Sequence, residues 1–273
     1  MRENTFISSA EKLAEEAFSR QSAIFDSIYQ PNIIIQYKRE RVWKHVEKYL
    51  SPESNILELN SGTGEDAVHF AGQHHHVHAT DISTGMQDML AKKVASLQLS
   101  NVTNELCSFS SLENLKARGP YDLIFSNFAG LNCTGDLKKV LTSFSPLLKP
   151  DGYVTLVIMP GFCLWETMLA LKGNFKLAFR RFNSKNGVPA HIEGIHFTCW
   201  YYKPSFIIDC LKNDFRHIST EGLCTTVPPS YLENFPLKYP RAFKNLKSIE
   251  EKLCKSAPWK SIGDYFIITL QKK

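Results

Sequence analysis

The sequence has no Cys-x-x-Cys pair, no internal repeat, no low-complexity linker and no block of like charge. Each absence removes a class of protein. Without paired cysteines, the seven present (107, 133, 163, 199, 210, 224 and 254) read as small buried hydrophobes in a reducing compartment, not as a disulfide or zinc framework. The basic residues are scattered although the net charge is +5, so neither nucleic acid nor an acidic membrane surface is expected as a partner. The longest apolar run, Tyr153 to Trp165, is broken by Pro160-Gly161 and falls short of the roughly 20 residues of a membrane span. Met1 to Ala10 carries Glu and Asn where a signal peptide would be apolar, so a cytoplasmic protein is expected. With 43% hydrophobic and 22% charged residues, the 273-residue chain is neither collagen, disordered nor coiled coil.

What is present alternates between two periods. Ala10, Leu13, Ala14 and Ala17, then Val42, Val46, Tyr49 and Leu50, recur at helical spacing on either side of Pro31. From Asn55 onward, short apolar runs (Ile56–Leu59, Val77–Thr80, Val102–Cys107, Leu123–Phe125, Tyr153–Met159) alternate with helical stretches such as Leu137 to Leu148. That order predicts a parallel sheet covered by helices on both faces. Phe215–Leu223 and Tyr265–Leu270 add two late strands, predicted as an antiparallel pair at the sheet edge. The expected fold is therefore α/β: a Rossmann-like three-layer sandwich with a mostly parallel seven-stranded sheet. Four segments are expected: N-terminal helices over residues 1–50, a cofactor-binding core over 51–159, an inserted helical cap over 160–192, and the end of the core over 193–273. The cap should carry helices Cys163–Leu171 and Phe175–Phe182.

Chemistry concentrates at the first strand. Ile56 to Gly64 runs from an apolar strand through Glu58, Asn60 and Ser61 into a turn with Gly62 and Gly64, and a helix follows. Such a turn brings backbone close to a ligand at the carboxyl end of a strand. Asp81 ends the second strand 19 residues past Gly62, where a carboxylate can accept both hydroxyls of a ribose. Gly62-x-Gly64-x-x-Ala67 would also suit a nicotinamide enzyme. Glu58 argues otherwise, because a carboxylate there repels a pyrophosphate and suits a ligand with a cationic amine. The run Leu147-Leu-Lys-Pro-Asp-Gly152 before a strongly apolar strand, and the terminal strand pair, point the same way.

Together these residues resemble the class I S-adenosylmethionine-dependent methyltransferases of the small-molecule type, closely over Asn55 to Met159 and more loosely beyond. The family's first strand ends E-x-G-x-G-x-G, nearly matched by Glu58 to Gly64. The resemblance implies S-adenosylmethionine as cofactor, with Asp81 on its ribose and Ile82 and Met86 near its adenine. It places Ser108-Phe109 where the family holds an acid near the adenine amine, and Asn127-Phe128 as the wall beneath the transferred methyl. Two departures stand out. Asn60 replaces the first glycine, which the turn tolerates because Asn accepts left-handed backbone. Ser108 replaces the acid, which removes one adenine contact.

The methyl acceptor is expected to be a small organic metabolite bearing an O or N nucleophile, partly apolar and aromatic or anionic. Its candidate contacts are Tyr29, Asn132, Trp165, Trp200 and Tyr231, drawn from an aromatic inventory that includes Phe162, Phe197, Tyr201 and Tyr202. Phe25-Asp-Ser-Ile-Tyr29 resembles a lid helix of such enzymes, although its spacing also suits a core stripe. His196 and Glu166 are the candidate catalytic residues: one titrates near neutrality, the other sits at a helix start where it also serves the dipole. Lys172, Lys176, Arg180 and Arg181 form either a basic stripe for an anion or a solvated face. Cys133 is a candidate thiol beside the methyl site. His74-His75-His76 and His78 lack zinc-ligand spacing, and no metal is expected. The assembly is expected to be a monomer or homodimer. The alternatives are a macromolecule methyltransferase, a non-catalytic ligand-binding relative and, more remotely, an NAD-dependent oxidoreductase.

Overall fold

A computed structural model describes residues 8–168, 170, 173, 175–182 and 186–273, apart from the side chains of residues 176 and 177. The chain opens with two helices, α1 (Ser9–Tyr29) and α2 (Ile33–Val46). Ser8 and Glu11 form a reciprocal cap at the start of α1, and the Asn32 carboxamide accepts from the Ile34 and Ile35 amides to start α2. Then strands and helices alternate as β1 (Asn55–Leu59), α3 (Glu65–Gly72), β2 (His76–Asp81), α4 (Thr84–Ser96), β3 (Val102–Leu106), β4 (Tyr121–Ser126), α5 (Leu137–Thr142) and β5 (Leu148–Ile158). The remainder comprises α6 (Leu164–Met168), α7 (Phe175–Phe179), β6 (Val188–Ile192), β7 (Ile195–Cys199), α8 (Pro204–Leu211), β8 (Phe215–Leu223), α9 (Phe235–Lys238), α10 (Pro240–Leu253) and β9 (Tyr265–Lys272).

The main sheet has seven strands in the order β3-β2-β1-β4-β5-β9-β8. The first five are mutually parallel, and β9 pairs antiparallel with both β5 and β8. The expected architecture is present. Strand parity sorts the core into two layers, as it must where both faces are covered. Leu57, Leu59, Ile124 and Leu156 pack toward Val140 and Leu141 of α5 and Ile207 and Leu211 of α8. Ile56, Leu123, Phe125 and Val157 pack toward Val42 and Val46 of α2 and Phe70 of α3.

The cap departs from expectation. Residues 188–199 form an antiparallel hairpin, so the expected boundary at 192/193 falls inside its turn. Ile195, Phe197 and Cys199 alternate into a small core with Ala14 and Ala17 of α1. The hairpin therefore buries the apolar stripe of the N-terminal helix. The second cap helix ends at Phe179, shorter than expected, and Lys172, the Lys176 side chain and the end of the first helix lie outside what is described.

Candidate functional site

The turn after β1 is built by backbone conformation. Asn60 (φ 47°), Gly62 (φ 54°) and Gly64 (φ 83°) are all left-handed. A Cβ on Gly64 would lie 2.7 Å from Leu90 Cγ of α4, so a side chain is excluded there by conformation and by contact. Asn60 holds its place through its amide, donating to the Asn127 carbonyl (3.0 Å) and accepting from Ser126 Oγ (2.6 Å). Asp81 closes the turn, accepting from the Gly62 amide at 2.9 Å and the Ser83 amide at 2.8 Å. Burial raises its pKa, while those amides stabilise the carboxylate.

Around this turn lies a cleft of about 830 Å³, mouth included. Nine of the residues expected at the cofactor line it: Asn60, Ser61, Gly62, Asp81, Ile82, Met86, Phe109, Asn127 and Phe128. Gly64 lies just past the turn, its carbonyl accepting from Val68 in the first turn of α3. The cleft occupies the carboxyl ends of β1, β2 and β4, where α/β sheets bind ligands. Helix α1 covers it. Ser19 Oγ meets Ser83 Oγ at 2.7 Å, Thr63 donates to Asp26 at 2.6 Å, and Phe25 lines the cleft. Of the lid-like segment, Phe25 and Asp26 thus face the turn. Tyr29 stacks behind Phe25 and donates to Gln21.

Two expected cofactor residues sit elsewhere. Glu58 shares the strand face of Ile56, so its side chain enters the layer beneath α2 and α3 and is 1% exposed. Its Oε2 has no partner, and burial, reinforced by Asp66 and partly offset by Arg39, pushes its pKa well above the usual carboxylate range. It does not line the cleft, so it is not placed to meet a cationic amine there. Ser108 is buried behind the cleft, donating to Glu11 Oε1 at 3.0 Å.

Among the cleft residues that escaped the sequence reading are Glu11, Arg39 and Asp66. Asp66 accepts from Arg39 Nη1 (2.9 Å), Trp43 Nε1 (2.7 Å) and Asn127 Nδ2 (2.9 Å). Arg39 Nε is buried without a partner, and the guanidinium stacks 4.9 Å from the Phe128 ring. An orphaned, charge-bearing donor lining a cleft suits a ligand carboxylate. The available signal was the run Lys38-Arg39-Glu40-Arg41 inside an otherwise apolar helix, in which Lys38 and Arg39 are buried.

The candidate acceptor residues do not converge on this cleft. His196 is exposed on the outer face of the hairpin, its ring 4.6 Å from His191 across the strand pair. The same parity that buries Phe197 turns His196 outward. Asn132 is a buried bracket: it donates to the Met159 and Trp200 carbonyls and accepts from the Met159 amide. Trp200 packs against Gly135 and Gly187, Tyr231 is 46% exposed, and neither lines the cleft, nor does Trp165. Cys133 does line it, but hydrogen bonding to Cys199 and burial push its thiol up, so it is no ready thiolate.

Glu166 belongs to a second, closed cluster. It accepts from both Arg180 and Arg181, and Arg181 continues to Asp264 at 2.8 Å. Lys38, 2% exposed, reaches Asp264 at 3.4 Å and lies 4.7 Å from the Tyr265 ring. Burial opposes the lysine's charge, but Tyr265 and Asp264 more than offset it and hold the ammonium charged. Cys163, Glu166 and Asp264 lie close enough to share a metal, yet the chain's own cations already occupy both carboxylates. The basic stripe thus serves an internal carboxylate through Arg180 and Arg181. Of the clustered histidines, His75 accepts from the Ser54 amide and His78 bonds Thr103 and Glu105.

Residues 56–152 match the family model described as "Methyltransferase domain". Over that stretch, about a third of the chain, the sequence is similar to a methyltransferase domain. Solved structures share its fold at low identity. One is 1,6-didemethyltoxoflavin-N1-methyltransferase from Burkholderia thailandensis, 13% identical with a TM-score of 0.57, covering 98% of this chain and 92% of its own. Another is a SAM-dependent methyltransferase from Methanosarcina mazei, 15% identical with a TM-score of 0.56 and coverages of 84% and 96%. A third is the cyclase SpnF, 14% identical with a TM-score of 0.63 and coverages of 98% and 97%. No curated protein matches the chain by sequence. Among the described residues, no helix is long and apolar enough to cross a membrane.

Proposed function

We propose that the chain transfers a methyl group from S-adenosylmethionine to an O or N atom of a small organic metabolite. The observation that carries the reading is the cleft itself, where a left-handed turn, a backbone-anchored carboxylate and an orphaned arginine donor converge. Each oxygen of Asp81 takes one backbone amide and keeps a lone pair for a ribose hydroxyl. Arg39 lines the cleft, and its guanidinium would pair with the ligand's amino-acid carboxylate. When bound, S-adenosylmethionine supplies an electrophilic methyl for in-line displacement.

The chain's contribution is placement and exclusion of water. Phe25 and Phe128 are the aromatic walls at the Arg39 end of the cleft, and flat rings suit a sulfonium face as well as an apolar acceptor. His196 points outward and Glu166 is held by two arginines, so we assign neither a proton-transfer role. Alignment of the nucleophile then drives the transfer, which is how such sites gain most of their rate. The aromatic rings of Phe25 and Phe128 in the lining support a small acceptor over RNA or protein.

Likeness to a cyclase shows that the fold alone does not fix the chemistry. The matched methyltransferase domain favours transfer. The test is methyl incorporation from labelled S-adenosylmethionine into a panel of phenols, carboxylates and amines, beside protein and RNA. Transfer to a small molecule, retained in His196→Ala, is the expected result. Transfer confined to a macromolecule, or binding of NAD in place of S-adenosylmethionine, would overturn the reading.

A further inference from the structure

The sequence leaves the adenine end of the cleft one acid short at Ser108, and the structure fills that place from another element. The cleft lining includes Ala14, Phe18, Ile82, Met86 and Phe109, apolar and aromatic side chains that suit a flat heteroaromatic ring. Glu11, on the first turn of α1, also lines the cleft and is 3% exposed. Its Oε1 accepts from Ser108 Oγ at 3.0 Å and Ser110 Oγ at 2.9 Å. Its Oε2 has only two long contacts, to the Ser8 amide and hydroxyl at 3.4 Å. Among the described residues, no lysine, arginine or histidine forms an ion pair with it. A buried carboxylate held by serines alone retains strong acceptor capacity and has no cation to satisfy it.

We propose that Glu11 reads the exocyclic amine of the cofactor's adenine, so that the N-terminal helix, and not the third strand, supplies base specificity. The proposal rests on the S-adenosylmethionine reading of the cleft. The amine donates to the free lone pairs of Glu11, whereas a carbonyl at the same ring position meets a carboxylate that repels it. Because the acid travels with α1, recognition of the base also fixes that helix over the turn through Ser19–Ser83 and Asp26–Thr63. A merely structural Glu11 would need only its capping bond with Ser8. The two bonds to Ser108 and Ser110, made across 97 and 99 residues, serve no cap.

Titration calorimetry on the full chain separates the roles. The probes are S-adenosylhomocysteine and S-inosylhomocysteine, which carries a carbonyl in place of the amine. The wild type should prefer the adenosyl ligand by about ten- to a hundredfold, the worth of one charged hydrogen bond. Glu11→Gln can donate its amide to the carbonyl and should narrow that preference to about threefold or reverse it. Ser8→Ala, which removes the cap and leaves the carboxylate, should keep the wild-type preference. Equal affinity of the wild type for both ligands, or an undiminished preference in Glu11→Gln, overturns the assignment while leaving the cofactor reading intact. A wild type that binds neither ligand overturns the cofactor reading and this assignment with it.

Discussion

The ends of β1, β2 and β4 and the region around the cap solve opposite problems. At the strand ends, backbone amides and left-handed residues line an open cleft, and its charged side chains Asp81 and Arg39 keep bonding capacity in reserve. Around the cap, Glu166, Arg180, Arg181, Asp264 and Lys38 satisfy one another and shut the space they share. Ligand capacity therefore lies where polar groups are left incomplete, not where charged residues are most numerous. The cap network instead ties α6 and α7 to the loop before β9, and through Lys38 to α2.

The contrast is broken most severely at Arg181. Its removal leaves Glu166 with Arg180 alone and Asp264 with Lys38 alone, and Arg181→Ala should cost up to about 3–5 kcal/mol of folding stability. Chemical denaturation of the variant checks this, and S-adenosylhomocysteine affinity of the folded fraction should stay near wild type. Asp81→Ala should show the reverse pattern. Cofactor affinity should fall by about 1.5–3 kcal/mol, ten- to a hundredfold and more, with a smaller loss of stability from the two freed amides. Calorimetry paired with thermal melts separates the two effects.

A smaller effect tests the buried acid at Glu58. Its folded pKa lies above the unfolded value of about 4.3, so below that pH both states are protonated and the group adds no slope. Above it the unfolded chain ionises and the folded chain resists, so wild-type stability should decline as pH rises toward neutrality. Glu58→Gln should flatten that decline, which a pH series of denaturation midpoints would show. His196→Ala should have the smallest effect: turnover and cofactor affinity unchanged, because the ring lies on the hairpin's outer face.

Legibility in the sequence follows the same division. Period and parity revealed the central strands of the main sheet, because β1, β4 and the second half of β5 are apolar runs buried on both faces. The turn and Asp81 were legible because backbone-built sites leave glycines and a fixed spacing. The hairpin at 188–199 was missed because its buried half, Ile195 to Cys199, faces a helix about 180 residues earlier. Glu58 was misassigned because the motif names the residue while strand parity decides the layer it enters. Glu11 and Arg39 were illegible for a related cause. Their role depends on α1 and α2 folding back over the turn, a long-range contact that local pattern does not encode.

The central claim is that the cleft at the ends of β1, β2 and β4, roofed by α1, is the cofactor site. Hydrogen exchange of the full chain with and without saturating S-adenosylhomocysteine tests it most directly. The account predicts ligand-dependent protection of residues 60–64, 81–86 and the first turns of α1, with the hairpin's outer strand and the Arg181 cluster unchanged. Protection confined to the cap, or none at the turn and α1 despite measurable binding, would contradict it.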